Sequence, residues 1–488
     1  MHESLLIVPV LTAIVGGAVL FSPVFREKRA LRECYTMAVT LVTSALLWAL
    51  ILNRPDNGLL LLHFTGDLNL TLKLDGMGSI FAALIATLWP FATLYAFEYM
   101  RYADRQNGFL GFYTMTFGVT AGIALAGNML TLYMFYEMLT LVTVPLVLHE
   151  LTRESVRAAR KYLYYSLGGA AFAFIGMVFL IVYGMTLEFR LGGVLLAGHT
   201  GSRQMLLLIY VLTFFGFSVK AAIFPFHGWL PAVSVAPTPV TALLHAVAVV
   251  KSGAFAVLRL TYFSFGASYL FGTWAQKVVM AGTLITIVFA SSRALKETHF
   301  KRRLAYSTVS NLSYVLFAAT LMIPAGLVAA LCHTLCHAII KIGAFCCAGA
   351  VMHQSGRQYI HELDGIAHKM PFVFTCFTVS AIALPGIPPL AGFLSKWHIA
   401  EAAISSYQPL ARLGVGVLLY SALMTAIYML TVAVRAWSPL KDGSMDNVKD
   451  PNWYMKLPLA LFAAGVIALG LCGGPIVELL RQIALGHW

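Results

Sequence analysis

The sequence predicts an all-α polytopic membrane protein. Hydrophobic residues make up 59% of the chain and charged residues only 11%, whereas a soluble chain carries about 25% charged residues. Apolar runs recur along the whole length, and several exceed the roughly 20 residues that a helix needs to cross a bilayer. We expect an integral protein of a prokaryotic inner or plasma membrane. Met1–Glu3 has no basic n-region, so no cleavable signal peptide is expected.

Hydropathy and helix breakers divide the chain into about fourteen candidate spans. Their approximate cores are 5–25, 34–53, 76–99, 109–127, 129–149, 161–184, 205–226, 238–262, 273–292, 304–322, 325–352, 371–403, 410–436 and 456–481. Spans four to eight and nine to thirteen form two five-helix units, and an odd number inverts the second unit in the membrane. The predicted domains are residues 1–108 (spans one to three), 109–262, 263–436 and 437–488 (span fourteen).

The basic residues predict the orientation of the spans. The chain has 33 Lys and Arg against 20 Asp and Glu, and most of the basic residues follow odd-numbered spans. The positive-inside rule puts these connections in the cytoplasm and both termini outside. Every arginine is assigned to a loop or to a span end. Because the basic clusters are short and lie at span ends, lipid headgroups explain them, and no nucleic-acid partner is expected.

A row of titratable side chains in the eleventh span is the main functional signal. His333, His337 and Lys341 follow one another at i, i+4 spacing, which places them on one helix face over about 12 Å. Such groups are costly in lipid and mark ion or proton paths. The structural alternative is two core histidines bonded to carbonyl groups and a lysine that reaches the surface. Three groups in register favour the functional interpretation.

Further charged side chains lie inside other spans. Lys220, Lys251 and Lys396 are predicted to be buried, and Glu137 is the carboxylate that lies well inside a span. Glu98 is nearer a cytoplasmic end, where a solvated role explains it equally well. The predicted proton pathway comprises Glu137, Lys220, His245, Lys251, His333, His337, Lys341 and Lys396.

Proline clusters predict that spans seven and twelve are broken helices. Proline removes a backbone donor and clashes with the preceding turn, and a broken helix that carries a charge is typical of transporter ion sites. Lys220 lies just before the first break and Lys396 just after the second, which favours this over an ordinary kink. The prolines concerned are Pro225, Pro231, Pro237, Pro239, Pro385, Pro388 and Pro389.

Cofactor motifs do not stand out in the sequence. There is no phosphate-binding G-x-x-x-x-G-K-[ST] loop, no dinucleotide fingerprint and no C-x-x-C set for an iron–sulfur cluster. Cys332 and Cys336, together with the two histidines beside them, could supply metal ligands. No second ligand cluster accompanies them, and the lysine at position 341 would oppose a cation. We therefore expect no metal and no cofactor in this chain.

The chain resembles the antiporter-like membrane subunits shared by respiratory complex I, Mrp-type cation/proton antiporters and membrane-bound hydrogenases. The resemblance rests on FPFHGWLP at 224–231, APTPVTALLHA at 236–246 and GIPPLAGFLSK at 386–396, on the histidine–lysine row, on Asp75-Gly76 and on Glu137. It implies fourteen helices, two inverted five-helix repeats and a charged chain across the membrane centre. It also implies that Glu137 and Lys220 act as a pair. Lys396 would be the terminal lysine of the second half-channel, the part of the proton path within the second repeat.

Two departures from the family pattern qualify this resemblance. Some members carry an acid at the position of Lys396, and some have a further carboxylate where this chain reads Gly168-Gly169-Ala170-Ala171. Lys220 is therefore expected to have Glu137 as its only carboxylate partner. If Glu137 approaches, Lys220 keeps its proton, and if Glu137 withdraws, the proton can move along the chain. The Coulomb attraction between two unit charges 4 Å apart is about 4 kcal/mol at an effective dielectric constant of about 20, and this energy would control whether Lys220 keeps its proton.

Four functions fit these observations. The first is a proton-translocating subunit of a redox-driven complex, whose partners would be other membrane subunits and iron–sulfur or [NiFe]-type peripheral subunits. The second is a subunit of an Mrp-type antiporter, which would carry Na⁺ as well as H⁺. The third is a quinone-binding or scaffolding subunit, which gives no role to buried lysines. The fourth is a proton-coupled partner in inorganic-carbon uptake.

Overall fold

The structure is a computed structural model that describes residues 3–55, 57–66, 68–195, 202–439 and 448–487. Helices make up most of the described chain. Within these ranges, nine helices are long and apolar enough to cross a membrane, and three further apolar helices are shorter. The prediction of a helical integral membrane protein is therefore confirmed.

The first seven helices precede the first predicted break. They are α1 (Val8–Val19), α2 (Val24–Glu27), α3 (Arg29–Asn53), α4 (Gly76–Tyr99), α5 (Gln106–Ala124), α6 (Met129–Val147) and α7 (Arg153–Gly184). Between α3 and α4, strand β1 (Leu59–Thr65) pairs antiparallel with β2 (Leu68–Leu72).

The remaining helices surround the two broken spans. They are α8 (Arg203–Ser218), α9 (Trp229–Ala232), α10 (Thr238–Ala246), α11 (Val249–Leu258), α12 (Ala267–Leu270), α13 (Trp274–Lys296), α14 (Phe300–Thr320), α15 (Pro324–Ser355), α16 (Pro371–Ala383), α17 (Ala391–Ser405), α18 (Pro409–Ala436), α19 (Trp453–Cys472) and α20 (Gly474–Leu485). A π-helical segment, Arg259–Phe265, continues α11.

Local sequence explains where the central helices begin and end. The Asp75 carboxylate accepts from the Gly78 N–H at 2.8 Å and caps α4, as side-chain oxygens do at helix starts. Pro324 is the first residue of α15, where its missing N–H has no cost. Gly356 ends α15 with a φ of 69°, a left-handed conformation that glycine adopts without strain.

Helix α15 lies at the centre of the fold. It packs against α4, α10, α14, α16, α17, α19 and α20. Most of its length is buried, including the segment that carries His333, His337 and Lys341. The titratable row therefore faces protein on all sides, and the cost of burial must be met by partners within the chain.

Helix breaks occur at both proline clusters. Helix α8 ends at Ser218 and the next helical turn, a 3-10 helix, begins at Phe226, so Lys220 lies in unwound backbone. Helix α16 ends at Ala383 and α17 begins at Ala391, so Lys396 lies in the second turn of α17. At the second break, the Lys396 ammonium bonds to carbonyl groups of the unwound backbone.

The second break depends on a close approach of backbone at Gly392. A Cβ atom at this position would lie 1.8 Å from the carbonyl oxygen of Ala383. We expect Gly392→Ala to lower the unfolding temperature of the purified protein, since overpacking costs about 1–3 kcal/mol. Gly416→Ala on α18 is the matched control, because nothing lies within 4 Å of its added Cβ. Equal unfolding temperatures in detergent for the two variants would contradict this account of the break.

Two local features differ from the sequence prediction. The predicted eighth span, 238–262, is not one continuous helix, because α10 ends at Ala246 and α11 begins at Val249. No proline or glycine lies between these residues, so breaker residues could not reveal the interruption. The β1–β2 hairpin was also missed, although Leu68, Leu70 and Leu72 alternate with polar residues as a strand requires.

Candidate functional site

Buried basic side chains form the candidate site. Lys220, Lys251 and Lys341 are each 0% exposed, and the rings of His333 and His337 are almost completely enclosed. Lys396 is half-buried. Ammonium groups are rarely enclosed without partners, so the contacts of each one show what the site can do.

Lys220 pairs with the carboxylate that the sequence assigned to it. Its Nζ lies 3.8 Å from Glu137 Oε1, donates to the backbone oxygen of Tyr136 and sits 3.4 Å from the centre of the Tyr136 ring. The Glu137 side chain is 23% exposed, so this pair reaches the surface of the chain on α6. The unwound backbone at residue 220 brings the ammonium group to α6.

Lys251 contacts the titratable row on α15. Its Nζ lies 2.8 Å from Nδ1 of His337, which joins α11 to α15. When Lys251 is charged it donates this bond, and the imidazole accepts it as a neutral ring. The two side chains can therefore exchange a proton directly, without a bridging water.

The histidines on α15 continue the row toward α17. The rings of His337 and His333 are stacked with centres 5.7 Å apart, and His333 Nδ1 lies 2.9 Å from Ser395 Oγ. Ser395 precedes Lys396 in the chain. The two imidazole rings and Ser395 therefore form a row of polar groups that leads from His337 to the start of α17, where Lys396 lies.

Lys341 and Lys396 satisfy carbonyl oxygens. Lys341 Nζ donates to Leu304 O at 2.8 Å and to Ser307 Oγ. Lys396 Nζ donates to Leu384 O at 2.7 Å and to Pro385 O at 3.0 Å, which are carbonyls of the second break. Each ammonium group keeps its hydrogen bonds with neutral acceptors, so a proton can leave without breaking an ion pair.

His245 lies on α10 with its ring 4.7 Å from that of Phe345. In the described part of the chain, neither ring nitrogen has a hydrogen-bond partner. Buried polar atoms without partners are rare and often mark water sites. Both ring nitrogens of His245, a member of the predicted proton pathway, are therefore available to bind water.

Side chains form hydrogen bonds with the non-helical backbone around the prolines of span seven. Trp229 Nε1 donates to Val219 O at 2.8 Å, and Phe224 N donates to Thr286 Oγ1 at 3.0 Å. Lys301 Nζ donates to Ala236 O at 3.0 Å beside Pro237. Non-helical backbone at membrane depth is tolerated only with such protein partners.

Four buried cations were not predicted from the sequence. They were assigned to loops or span ends, but Arg32, Arg259, Lys301 and Arg303 are 4%, 0%, 5% and 7% exposed. Arg259 is wrongly placed as a flanking charge, because its guanidinium is bound to both carboxylate oxygens of Asp75, one of them at 2.6 Å. The sequence did contain a signal for this pair, since Arg259 lies within the predicted limits of span eight, near its outer end. The predicted orientation puts Asp75, at the start of span three, on the same outer side of the membrane.

These features define a polytopic membrane protein whose core carries a row of buried lysines and histidines between two helix breaks. Residues 126–425 match the family described as NADH:quinone oxidoreductase/Mrp antiporter, TM. This chain belongs to that family, and the resemblance inferred from the sequence is confirmed. It is an antiporter-like membrane subunit of the kind found in complex I-like and Mrp-type complexes.

Two curated relatives illustrate the range of the family. A probable K(+)/H(+) antiporter A/B subunit of Rhizobium meliloti is 30% identical over 486 residues, which are 96% of this chain and 47% of the relative. The N subunit of an NADH-quinone oxidoreductase of Desulforudis audaxviator is 30% identical over 434 residues, 85% of this chain and 84% of the relative. The chain thus spans about half the length of the first relative and most of the second.

Solved structures show the same fold. A chain of the Mrp complex from Dietzia sp. superposes with a TM-score of 0.87 at 20% identity, over 100% of this chain and 98% of that chain. A chain of an archaeal membrane-bound sulfane sulfur reductase superposes with a TM-score of 0.86 at 21% identity, over 99% and 97%. At these identities the likeness concerns the fold.

Proposed function

We propose that this chain moves protons across the membrane as a subunit of a multi-subunit redox-driven complex, through Glu137, Lys220, His245, Lys251, His333, His337, Lys341 and Lys396. The observation that carries the proposal is the direct contact between Lys251 and His337 within a buried basic row. A scaffold or quinone-binding subunit has no use for such groups, whereas a proton path requires them. The chain itself is proposed to hold no cofactor.

The proposal includes a finer architecture. About fourteen spans would form two inverted five-helix repeats, residues 109–262 and 263–436, with both termini outside and the basic odd-numbered connections in the cytoplasm. The two breaks support it, because each interrupts the fourth helix of its repeat beside a lysine. The remaining parts, 1–108 and 437–488, would flank the repeats.

Other membrane subunits are the proposed partners. The Glu137 side chain is partly exposed at the chain surface although it pairs with a buried lysine. A charged group at membrane depth is costly against lipid, so a protein neighbour at this face of α6 would complete the site. The two structural neighbours are chains of multi-subunit membrane complexes, which supports this arrangement. Iron–sulfur or [NiFe]-type peripheral subunits would supply the redox energy.

An Mrp-type antiporter subunit is the second candidate. The relative that covers 96% of this chain is named as a K(+)/H(+) antiporter subunit, and such a protein would exchange H⁺ for Na⁺ or K⁺. The redox-driven interpretation is favoured by the relative that this chain matches in length, a subunit of NADH-quinone oxidoreductase. The two candidates differ in their partners and in the energy source rather than in the proton path.

The test is purification through a tag on this chain in mild detergent, followed by mass spectrometry and transport assays. We expect iron–sulfur or [NiFe]-type subunits to copurify, and substrate oxidation to acidify the lumen of inverted vesicles. Recovery of small membrane subunits alone, with cation-driven proton movement, would instead establish the antiporter. Vesicles whose proton movement is the same with and without this chain would overturn both candidates.

A further inference from the structure

Hydroxyl side chains fill the contact between α13, α14 and α18. Ser291 Oγ lies 2.7 Å from Ser310 Oγ and 2.5 Å from Ser421 Oγ, and the last two are 3.1 Å apart. All three residues are buried. A buried hydroxyl group without a hydrogen-bond partner is costly. Because these three bond to one another across three helices, they form a defined polar site beside the titratable row.

One end of this polar site reaches Lys341. The Lys341 ammonium donates to Ser307 Oγ, and the Ser307 side chain lies next to the Tyr428 hydroxyl. Tyr428 donates to Thr425 Oγ1 at 3.1 Å. Thr425 follows Ser421 by one turn of α18 and donates to its carbonyl oxygen at 2.7 Å. Hydroxyl groups thus lead from the ammonium group to the serine cluster.

The other end of the polar site reaches Lys396. The Tyr314 hydroxyl lies next to the Ser421 side chain, and the Lys396 ammonium is 4.9 Å from the centre of the Tyr314 ring. The ring of His333 is 5.3 Å from that of Tyr314. The Tyr314 ring and, through Ser395, the His333 ring therefore both lie beside Lys396.

The antiparallel course of α14 and α18 explains this geometry. Ser307 and Tyr314 are two turns apart on α14, and Ser421 and Tyr428 are two turns apart on α18. Ser307 faces Tyr428 and Tyr314 faces Ser421. The pairs form two levels about 10 Å apart along the helices, which is close to the separation of His333 and Lys341 on α15.

The alternative role for these hydroxyl groups is purely structural, as hydrogen bonds that hold the helices together. Such bonds between membrane helices are worth about 1–2 kcal/mol in peptides and often less in proteins. A purely structural role does not explain why a lysine lies at each end of the row of hydroxyl groups. It also leaves Asn311 Oδ1, one turn after Ser307, and the Nε2 atoms of both histidines without partners among the described residues. Waters at these atoms would satisfy them and extend the polar site.

We propose that Ser307, Tyr428, Thr425, Ser421 and Tyr314 form a second proton route between Lys341 and Lys396, parallel to the route through His337 and His333. This inference rests on the proposed function of the chain as a proton-translocating subunit. The second route makes transfer between the two lysines tolerant to the loss of either set of groups.

The chemistry of the route balances at every step. The Lys341 ammonium transfers one proton to Ser307 Oγ, while the original Ser307 hydroxyl proton passes to the next oxygen. At each hydroxyl one O–H bond forms and one breaks, so no hydroxyl group keeps a charge. The last proton binds the neutral amine of Lys396. The Ser307 hydroxyl, which donates to Leu304 O at 2.9 Å, first turns toward Tyr428. Rotation of the Thr425 and Ser421 hydroxyls or a single water bridges their shared turn. The Tyr314 hydroxyl turns away from Leu418 O, and another water bridges it to the amine.

The test compares two sets of variants in the assembled complex, with proton uptake measured in inverted vesicles. The first set is His333→Leu, which keeps the Lys251–His337 contact, and the second is Tyr428→Phe with Ser421→Ala. We expect each set alone to lower the rate by about two- to fivefold and the combination to lower it by more than about a hundredfold, because parallel routes couple non-additively. Assembly is checked by size-exclusion chromatography.

Matched controls remove hydroxyl groups elsewhere. Tyr210 forms a buried bond with Thr261 at 3.0 Å, much like the Tyr428–Thr425 bond, and Ser406 is a buried serine that donates to Ala403 O. Tyr210→Phe with Ser406→Ala is expected to transport at the wild-type rate in both backgrounds. When the histidine replacement is added to this control, any fall in the transport rate is due to the loss of the histidine route alone.

Three outcomes would overturn the second route. They are complete loss of transport in the histidine set alone, complete loss in the hydroxyl set alone, and effects of the two sets that simply multiply. Lys341→Met separates this inference from the function on which it rests. If Lys341→Met transports like the wild type, the proposed proton path itself is wrong. If Lys341→Met is inactive and the two sets multiply, only the second route fails.

Discussion

Replacing Lys220 by methionine is expected to abolish proton transport by the assembled complex while the chain still folds and inserts. Methionine fills the same space without a proton to transfer, and Glu137 then lacks the ammonium group that lies 3.8 Å away. A positioned acid or base contributes about 10²–10⁴-fold to a proton transfer, so the rate should fall by about a hundredfold or more. The measurement is the initial rate of lumen acidification in inverted vesicles, normalised to assembled complex.

Lys220→Arg and Glu137→Gln separate charge from proton release. Arginine keeps the ion pair but does not release its proton in proteins, so Lys220→Arg should assemble normally and remain inactive. Glu137→Gln keeps the shape of the side chain and removes the charge that holds the lysine proton. Lys277→Met and Glu154→Gln, both at exposed positions, are the controls. Wild-type transport in Lys220→Met or Lys220→Arg would refute the role of this lysine.

The row on α15 was the part of the site most readable from sequence. Positions 333, 337 and 341 repeat with the helical period, and their helix was long enough and apolar enough to be assigned without a partner. The structure places all three in the buried core. Their individual partners were not readable, since the Lys251–His337 contact joins residues 86 positions apart in the chain.

The helix breaks show the limit of reasoning from breaker residues. Proline predicts that spans seven and twelve are interrupted, and the structure ends α8 at Ser218, seven residues before Pro225, and α16 at Ala383, two residues before Pro385. The interruption between α10 and α11 has no such cause in its own sequence. There, Val247 and Ala248 leave helical geometry between the helices that carry His245 and Lys251. Neither residue is a helix breaker, and Ala248 is a strong helix former, so tertiary packing, which a single sequence does not display, overrides the local preference.

Burial of the cations near span ends was unreadable for a similar reason. An arginine close to a predicted boundary has the same sequence signal whether it faces water or an internal carboxylate. Arg259 faces an internal carboxylate, and its guanidinium is also flanked by the rings of Phe189, Phe255 and Phe263 at 4.7, 5.0 and 4.8 Å. The aromatic rings exclude water from the guanidinium, which makes the contact with Asp75 structurally important.

Replacing Arg259 by leucine is expected to destabilise the fold more than the loss of any surface ion pair. Removing one partner of a buried pair costs about 3–5 kcal/mol, and the lower end applies because the Asp75 side chain is 30% exposed. The cost arises from an unpaired carboxylate at the start of α4. Thermal unfolding of the purified protein in detergent measures it as a lower midpoint temperature.

The double variant Arg259→Leu with Asp75→Asn identifies the cause of that loss. Asparagine still caps α4 by accepting from the Gly78 N–H, so only the charge is removed and most of the stability should return. Arg302→Gln is the control, because its pair with Glu297 at 3.3 Å involves a guanidinium that is 49% exposed and is worth about 0–1 kcal/mol. If Arg259→Leu unfolds at the temperature of Arg302→Gln, the burial of the guanidinium carries no stability. If the double variant is no more stable than Arg259→Leu, the lost packing of the arginine against its three phenylalanines, rather than the unpaired carboxylate, accounts for the effect.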